Sequence, residues 1–260
     1  MSQIYVEMDG LTVWGRGKAT PHDLSGFGIK RNGLEQFDDS ASRSGEVAKR
    51  DVGDGSYWGD SSLDGIVRTL QGVAHAPTHR ELEAMHDRLM ALNASSAYRP
   101  LTYRSERGYR YAMARVEGAV TWLHDRWINK PRAEFTIAFR CADAHWNGES
   151  RKYTLTPGQT VTVENRGTLP AWPMVDVRGP LGVNWGLGVG SSRLYVDRAV
   201  GSGETVTVDH ENGWVKSSSS GFITEGISGY ESNLAPGVGT VTFTGSGSGS
   251  ATVTFTDRFV

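Results

Sequence analysis

Along most of the chain, apolar residues recur at every second position. Tyr109-Arg110-Tyr111-Ala112-Met113-Ala114-Arg115-Val116 alternates in this way, and so does Ala133-Glu134-Phe135-Thr136-Ile137-Ala138-Phe139-Arg140. A period of two is the signature of a strand with one buried face. After Gly148 the pattern breaks into short pieces: Lys152 to Leu155, Gln159 to Asn165, Met174 to Arg178, Arg193 to Val196, Glu204 to Asp209, Gly239 to Thr244 and Ala251 to Thr256. Turns such as Thr156-Pro157-Gly158 and Glu211-Asn212-Gly213 separate them. Short strands at this spacing with no helical pattern between them predict an antiparallel β-sandwich. Gly245-Ser246-Gly247-Ser248-Gly249-Ser250 has the composition of a flexible linker but lies between two strands, which predicts a mobile hairpin loop.

One segment keeps a helical period. Leu82, Met85, Leu89 and Leu92 recur at spacings of three and four. Thr78 and Glu81 have the spacing of a capping box, in which hydroxyl and carboxylate satisfy each other's free backbone amides. With Pro77 before it and Asn93 as a stop, a helix is predicted over about residues 78–93. The polar, glycine-rich stretch from Arg43 to Leu63, with Asp54-Gly55 as a turn, reads as a long hairpin arm or a loop.

Composition divides the chain. Residues 1–148 hold 19 of the 27 Lys+Arg and 19 of the 29 Asp+Glu; residues 149–260 are charge-poor and hold 18 of the 33 glycines. A domain boundary is therefore expected near Gly148, where Trp146-Asn147-Gly148-Glu149 reads as a turn. The expected architecture is mainly β: a β-rich domain with one helix over 1–148, then a sandwich over 149–260. The net charge of −2 gives no bulk attraction for nucleic acid or an anionic membrane. No stretch approaches the roughly 18 apolar residues of a membrane helix, and the N-terminus lacks the basic and apolar regions of a signal peptide. The chain is expected to be made in a cytoplasm and to stay soluble. Its one cysteine, Cys141, lies in an apolar run and is expected to be a small buried residue without an internal disulfide.

Enzymatic signatures are missing. No serine stands in a nucleophile elbow, no phosphate-binding loop is present, and one cysteine cannot build a thiolate zinc cluster. No cofactor is implied. His79, Glu83 and His86 share one helical face and could hold a metal, with His75 outside the helix; a polar stripe opposite the leucines is the simpler reading. Asp143-Ala144-His145 sets a carboxylate beside an imidazole without a nucleophile and reads as a turn. Asp209 and Glu211 are close in sequence, but a glycosidase pair needs a defined separation across a cleft. Trp172, Trp185 and Trp214 are the candidate contact residues. Tryptophans can stack on pyranose rings or plug a sandwich core. Pro170 and Pro173 restrict the backbone around Trp172, so its indole is expected to hold a fixed position, either as a saccharide platform or as an interdomain contact.

The order of segments carries a resemblance. Tyr109 to Val116, then Ala133 to Arg140, then Cys141-Ala142-Asp143-Ala144-His145-Trp146 resembles the end of the first domain of distal tail proteins (the Dit family) of long-tailed bacteriophages, with Ala144 where that family often has proline. Val163-Glu164-Asn165-Arg166-Gly167-Thr168-Leu169-Pro170-Ala171-Trp172-Pro173-Met174-Val175-Asp176-Val177-Arg178-Gly179 resembles the entry to that family's second, galectin-like sandwich. Glu204 to Asp209 resembles a strand that ends in aspartate before a turn. Leu234-Ala235-Pro236-Gly237 before Thr240-Val241-Thr242-Phe243 resembles the entry to its last hairpin, with Val238 in place of the usual asparagine. Ala251 to Phe259 resembles the final strand. The resemblance spans about residues 60–260. It implies a non-enzymatic virion protein at the distal end of the tail: a ring, expected to be homohexameric, built by residues 1–148. Such a ring would join the tail tube protein to the tail-tip hub or tail-associated protein and meet the tape measure protein. The galectin-like domain would point outward, and a host-surface saccharide is the alternative partner implied for it. A galectin-like fold does not by itself confer sugar binding.

Overall fold

The structure is a computed structural model that describes residues 4–15, 25–35, 37, 43–44, 47–49, 56–58, 62–63, 65–124, 131–229 and 232–260. It is mainly β with one α-helix among the described residues, and it divides into two compact units, residues 1–146 with Val260 and residues 147–259.

The first unit contains strands β1 (Tyr5–Met8), β2 (Leu11–Trp14), β3 (Gly26–Ile29), β4 (Arg43–Ser44), β5 (Val47–Lys49), β6 (Ser56–Trp58), β7 (Ser62–Leu63), β8 (Val67–His75), β9 (Arg99–Ser105), β10 (Gly108–His124) and β11 (Arg132–Cys141). Seven of these pair in the order β11-β8-β3-β2-β1-β9-β10, and β10 pairs with β11 to close a barrel. Closure leaves no free ladder edge. Alternation decides which side chains fill it: Val6, Met8, Val13, Leu70, Leu101, Ala112, Ala114, Phe135, Ile137 and Phe139 are buried. At Gly72 the wall has no room for a side chain, since a Cβ there would lie 2.1 Å from the Phe135 ring. Phe135 in turn meets Phe27 edge-on at 5.6 Å.

The longest strand, β10, has 17 residues. Its first part pairs with β9 (Gly108↔Ser105 to Ala114↔Arg99) and the rest with β11 (Ala114↔Cys141 to His124↔Ala133). Between Glu117 and Thr121 the register slips, and Gly118 adopts φ +68° there. A left-handed residue at a bulge favours glycine. Helix α1 (His79–Ala91) starts on Thr78, whose hydroxyl accepts the Glu81 amide at 3.3 Å, and passes into a short 3-10 turn at Leu92–Ala94. Leu82, Leu89 and Leu92 are buried, while Met85 is only half-buried.

Between β3 and β8 the described pieces nest around one another. Arg43↔Leu63 and Ser44↔Ser62 enclose Val47↔Trp58, Ala48↔Tyr57 and Lys49↔Ser56. Those registers are those of a hairpin, one of the two forms expected for Arg43 to Leu63; the segments joining the pairs, with the Asp54-Gly55 turn, lie outside the described residues.

The second unit is a two-sheet antiparallel sandwich. Its strands are β12 (Trp146–Leu155), β13 (Thr160–Asn165), β14 (Met174–Arg178), β15 (Trp185–Val189), β16 (Ser192–Val196), β17 (Thr205–Asp209), β18 (Trp214–Ser217), β19 (Gly221–Ile223), β20 (Ile227–Gly229), β21 (Gly237–Thr244) and β22 (Ser250–Phe259). One sheet runs β12-β22-β14-β17-β18-β19, the other β13-β21-β15-β16-β20. Val175, Val177, Trp185, Leu187, Val206, Val208, Phe243, Val253 and Phe255 form the core between them.

Three expectations change here. Trp146-Asn147-Gly148-Glu149 is not a turn but the start of β12. Strands β15, β18, β19 and β20 lie where no strand is expected, because Gly186, Gly188 and the serine run after β18 mask the alternation. The Gly245 to Ser250 segment is not a free loop. Gly182 donates to the Ser246 carbonyl at 2.8 Å, Gly249 donates to the Pro180 carbonyl at 2.9 Å, and a Cβ at Gly247 would lie 2.6 Å from the Pro180 oxygen. The glycines allow close backbone approach rather than freedom of movement.

Candidate assembly surfaces

The barrel wall carries one row of large residues across four adjacent strands. Trp14 on β2 faces Tyr5 on β1, Tyr5 faces Arg104 on β9, and Arg104 faces Tyr109 on β10. The Tyr5 and Trp14 rings lie 5.3 Å apart, and Tyr109 lies 6.2 Å from Tyr111. Trp14 is 45% exposed and Tyr109 39%. Trp, Tyr and Arg are the residues most enriched where protein interfaces hold their energy. None of the four was singled out from the sequence. The signal was available in β10, where the small Ala112 and Ala114 point inward and leave the tyrosines on the opposite face.

The three tryptophans chosen from the sequence have different surroundings. Trp185 is enclosed in the sandwich core, and its indole N–H donates to the Arg198 carbonyl at 2.9 Å, so no ring face is open to a ligand. Trp172 is half-buried between the buried Ala171 and Pro173. Trp214 is half-buried at the start of β18 and meets the Phe222 ring edge-on at 6.0 Å. Phe222 is 65% exposed, and the Lys216 ammonium lies 5.5 Å from its ring centre. Lys216 on β18 and Phe222 on the edge strand β19 face each other in this sheet.

Other candidates are absorbed into the fold. His79 and His86 are not a free stripe: their rings lie 5.7 Å from His124 and 5.1 Å from Trp122, while Glu83 is exposed. Among the described residues no three His, Cys, Asp or Glu side chains are placed to hold a metal. Burial and the Arg132 cation hold the His75 imidazole below its usual range. Asp209 caps its own turn, with Oδ1 accepting the amides of Glu211 and Asn212 at 2.9 and 3.0 Å, while Glu211 pairs with Arg258. These two carboxylates are tied into the turn and into the Arg258 ion pair rather than facing each other across a cleft. Asp143 and His145 lie in a bend between β11 and β12. Cys141 is buried, and burial pushes its thiol up, partly offset by the Arg68 guanidinium. Arg68, fully buried, donates to the Phe37 carbonyl at 2.6 Å and lies 4.2 Å from the Trp146 ring centre.

No protein-family model matches the chain, and neither does any curated protein. Solved structures do. The Dit protein (gp 19.1) of phage SPP1 aligns with a TM-score of 0.61 at 18% identity, over 86% of this chain and 91% of that one. The fold is that of SPP1 Dit. SPP1 Dit is described as a paradigm of the hub adsorption apparatus in phages that infect Gram-positive bacteria. Two activated baseplate structures of phage P2, one with calcium and one with strontium, align over 98% of each chain at 9% and 10% identity, with TM-scores of 0.43 and 0.44.

Proposed function

We propose that this chain is a structural subunit of a phage tail: a distal tail protein whose barrel unit assembles into a ring, expected to be a homohexamer, at the end of the tail tube. The observation that carries this reading is the fold match to SPP1 Dit over most of both chains. The local features agree with it. Closed cyclic symmetry needs two different patches per subunit. The barrel wall offers the Trp14–Tyr5–Arg104–Tyr109 row, and the paired β4–β7 segment, polar and glycine-rich in sequence, is a candidate second element. A closed barrel cannot polymerise through its ladder edges, so contacts through side chains and an arm suit a finite ring. The partners in this reading are further copies of the chain, the tail tube protein, the tape measure protein and the tail-tip hub.

Mass determination by light scattering, with negative-stain imaging, tests it. A closed ring is expected, either alone or with the tail tube protein added. A monomer under both conditions at tens of micromolar would overturn it.

A second reading, a carbohydrate-binding module, is favoured by one feature: Phe222 and Trp214 present aromatic surface beside Lys216 on an exposed edge. A glycan array with the wild type and Phe222→Ala tests it. Saccharide binding that the substitution removes is the supporting result, and no binding by the wild type is the opposing one.

A further inference from the structure

We propose that His210 is an acid-operated latch in the sandwich, closed while its ring is neutral and released when the ring gains a proton. The site lies at the end of β17. His210 is 1% exposed, and its backbone N–H donates to the Pro173 carbonyl at 3.3 Å. Its ring Nδ1 accepts the backbone N–H of Ser232 at 3.2 Å. A neutral imidazole that accepts at Nδ1 carries its proton on Nε2. That Nε2 is enclosed, and among the described residues nothing accepts from it.

One ring nitrogen therefore joins two distant stretches of chain. Ser232 is itself buried, and two residues later Leu234 exchanges both backbone bonds with Ala171, at 2.8 and 2.9 Å. The Leu234 carbonyl also accepts from the Asn165 amide at 2.9 Å, as does that of Leu169. The crossing of residues 165–173 with 232–234 is thus pinned at His210, at the Ala171–Leu234 pair and at Asn165.

A second proton on the ring can only go to Nδ1. It removes the lone pair that holds Ser232 and sets an N–H⁺ against an N–H. The bond is lost and a repulsion replaces it. Among the described residues no free anion is poised to receive the new charge. The neighbouring Asp209 carboxylate is committed to the amides of Glu211 and Asn212 and to the Asn212 side chain. Glu211 is paired with Arg258 from β22. Burial accordingly holds the imidazole down at about 4, against a smaller upward pull from Asp209. The sign follows: the neutral ring stabilises the folded crossing fully above the ordinary histidine value of 6.5, and that contribution falls away as pH drops from 6.5 toward 4.

Hydrogen exchange of the full chain, read by mass spectrometry and corrected for the intrinsic pH dependence of amide chemistry, tests this. Between pH 7 and pH 4 the peptide containing Ser232 to Leu234 should lose protection by on the order of a hundredfold. The Asn165 to Pro173 peptide should follow it, and Val206 to Val208 on β17 should not. His210→Asn keeps an acceptor near the Nδ1 position but cannot take up a proton. In that variant the two peptides should be insensitive to pH over the same range. Unchanged wild-type protection at pH 4, or the same loss in His210→Asn, would overturn the latch. If His210→Asn does not fold, the wild-type contrast between the Ser232 and Val206 peptides decides alone.

Discussion

The barrel and the sandwich hold themselves together differently. Among the described residues the barrel unit buries one charged or polar side chain, Arg68, whereas the sandwich buries Asn165, Asp209, His210, Ser217, Ser232 and Asp257. The barrel closes on its own backbone ladder, so every wall strand has a partner on both sides. The sandwich has many short strands, several of three to five residues, and many segments between them whose amides and carbonyls need partners. Its buried and half-buried polar side chains supply these. Asn165 donates to the Leu169 and Leu234 carbonyls and accepts the Gly167 amide. Asp257 accepts the Arg166 amide and pairs with Arg151. Glu204 accepts the Gly201 amide, the hydroxyls of Ser217 and Ser219, and the Arg198 guanidinium. Ladder closure stabilises one unit and side-chain-to-backbone stitching the other.

The largest test of this contrast is Trp185→Ala. It empties the centre of the sandwich core and leaves the Arg198 carbonyl without its donor, so a loss of about 3–5 kcal/mol is expected. If the two units unfold independently, calorimetry should show this loss in the sandwich transition alone. A single transition that moves as a whole would mean the units are coupled. Next is Gly72→Ala in the barrel wall. The added methyl overlaps the Phe135 ring, and overpacking of this kind costs about 1–3 kcal/mol; urea unfolding should show a lower midpoint with an unchanged slope. Thr78→Ala removes one helix cap and should cost about 1 kcal/mol, measurable in the same titration.

Glu204→Gln should lower stability at neutral pH, with the difference from the wild type shrinking as the pH falls. The Ser217 hydroxyl, then the Gly201 amide and the Ser219 hydroxyl, hold the Glu204 carboxyl down at about 2, with Arg198 adding a smaller pull in the same direction. A carboxyl lowered in the folded state contributes stability that is complete above its ordinary value of 4.5 and is lost as pH falls from there toward 2. Melting curves of the wild type between pH 5 and pH 2 should therefore fall more steeply than those of Glu204→Gln. Parallel curves would assign the stitching to other groups.

What the sequence made legible follows the same division. Strands whose alternation is carried by large residues, such as Ala133 to Arg140 and Met174 to Arg178, were readable, and so were the helix cap at Thr78 and the arm. β8 was not, because its inward positions are Arg68, Leu70, Gly72 and Ala74: a cation and a glycine where alternation expects bulk. β15 failed for a different reason: its inward Trp185, Leu187 and Val189 are bulky, but Gly186 and Gly188 stand between them where a strand carries polar or β-branched residues. Site reading failed differently. Three tryptophans drew attention as isolated residues, but the barrel-wall row exists only in cross-strand register, since Trp14, Tyr5, Arg104 and Tyr109 come from four strands. Phe222 was invisible because its strand has only three residues. The role of Arg68 depends on Phe37 and Trp146, far from it in sequence.

Strand β10 has a mechanical consequence. At about 3.3 Å per residue its 17 residues extend about 56 Å. It is bonded to β9 along its first part and to β11 along the rest. Ladder bonds lie across a strand, so a pull along β10 loads them side by side in shear rather than peeling them one at a time. The slip at Gly118 divides the β11 side of that seam into two stretches that yield separately. A pull along the strand would find in β10 a long spar with a fixed point of give.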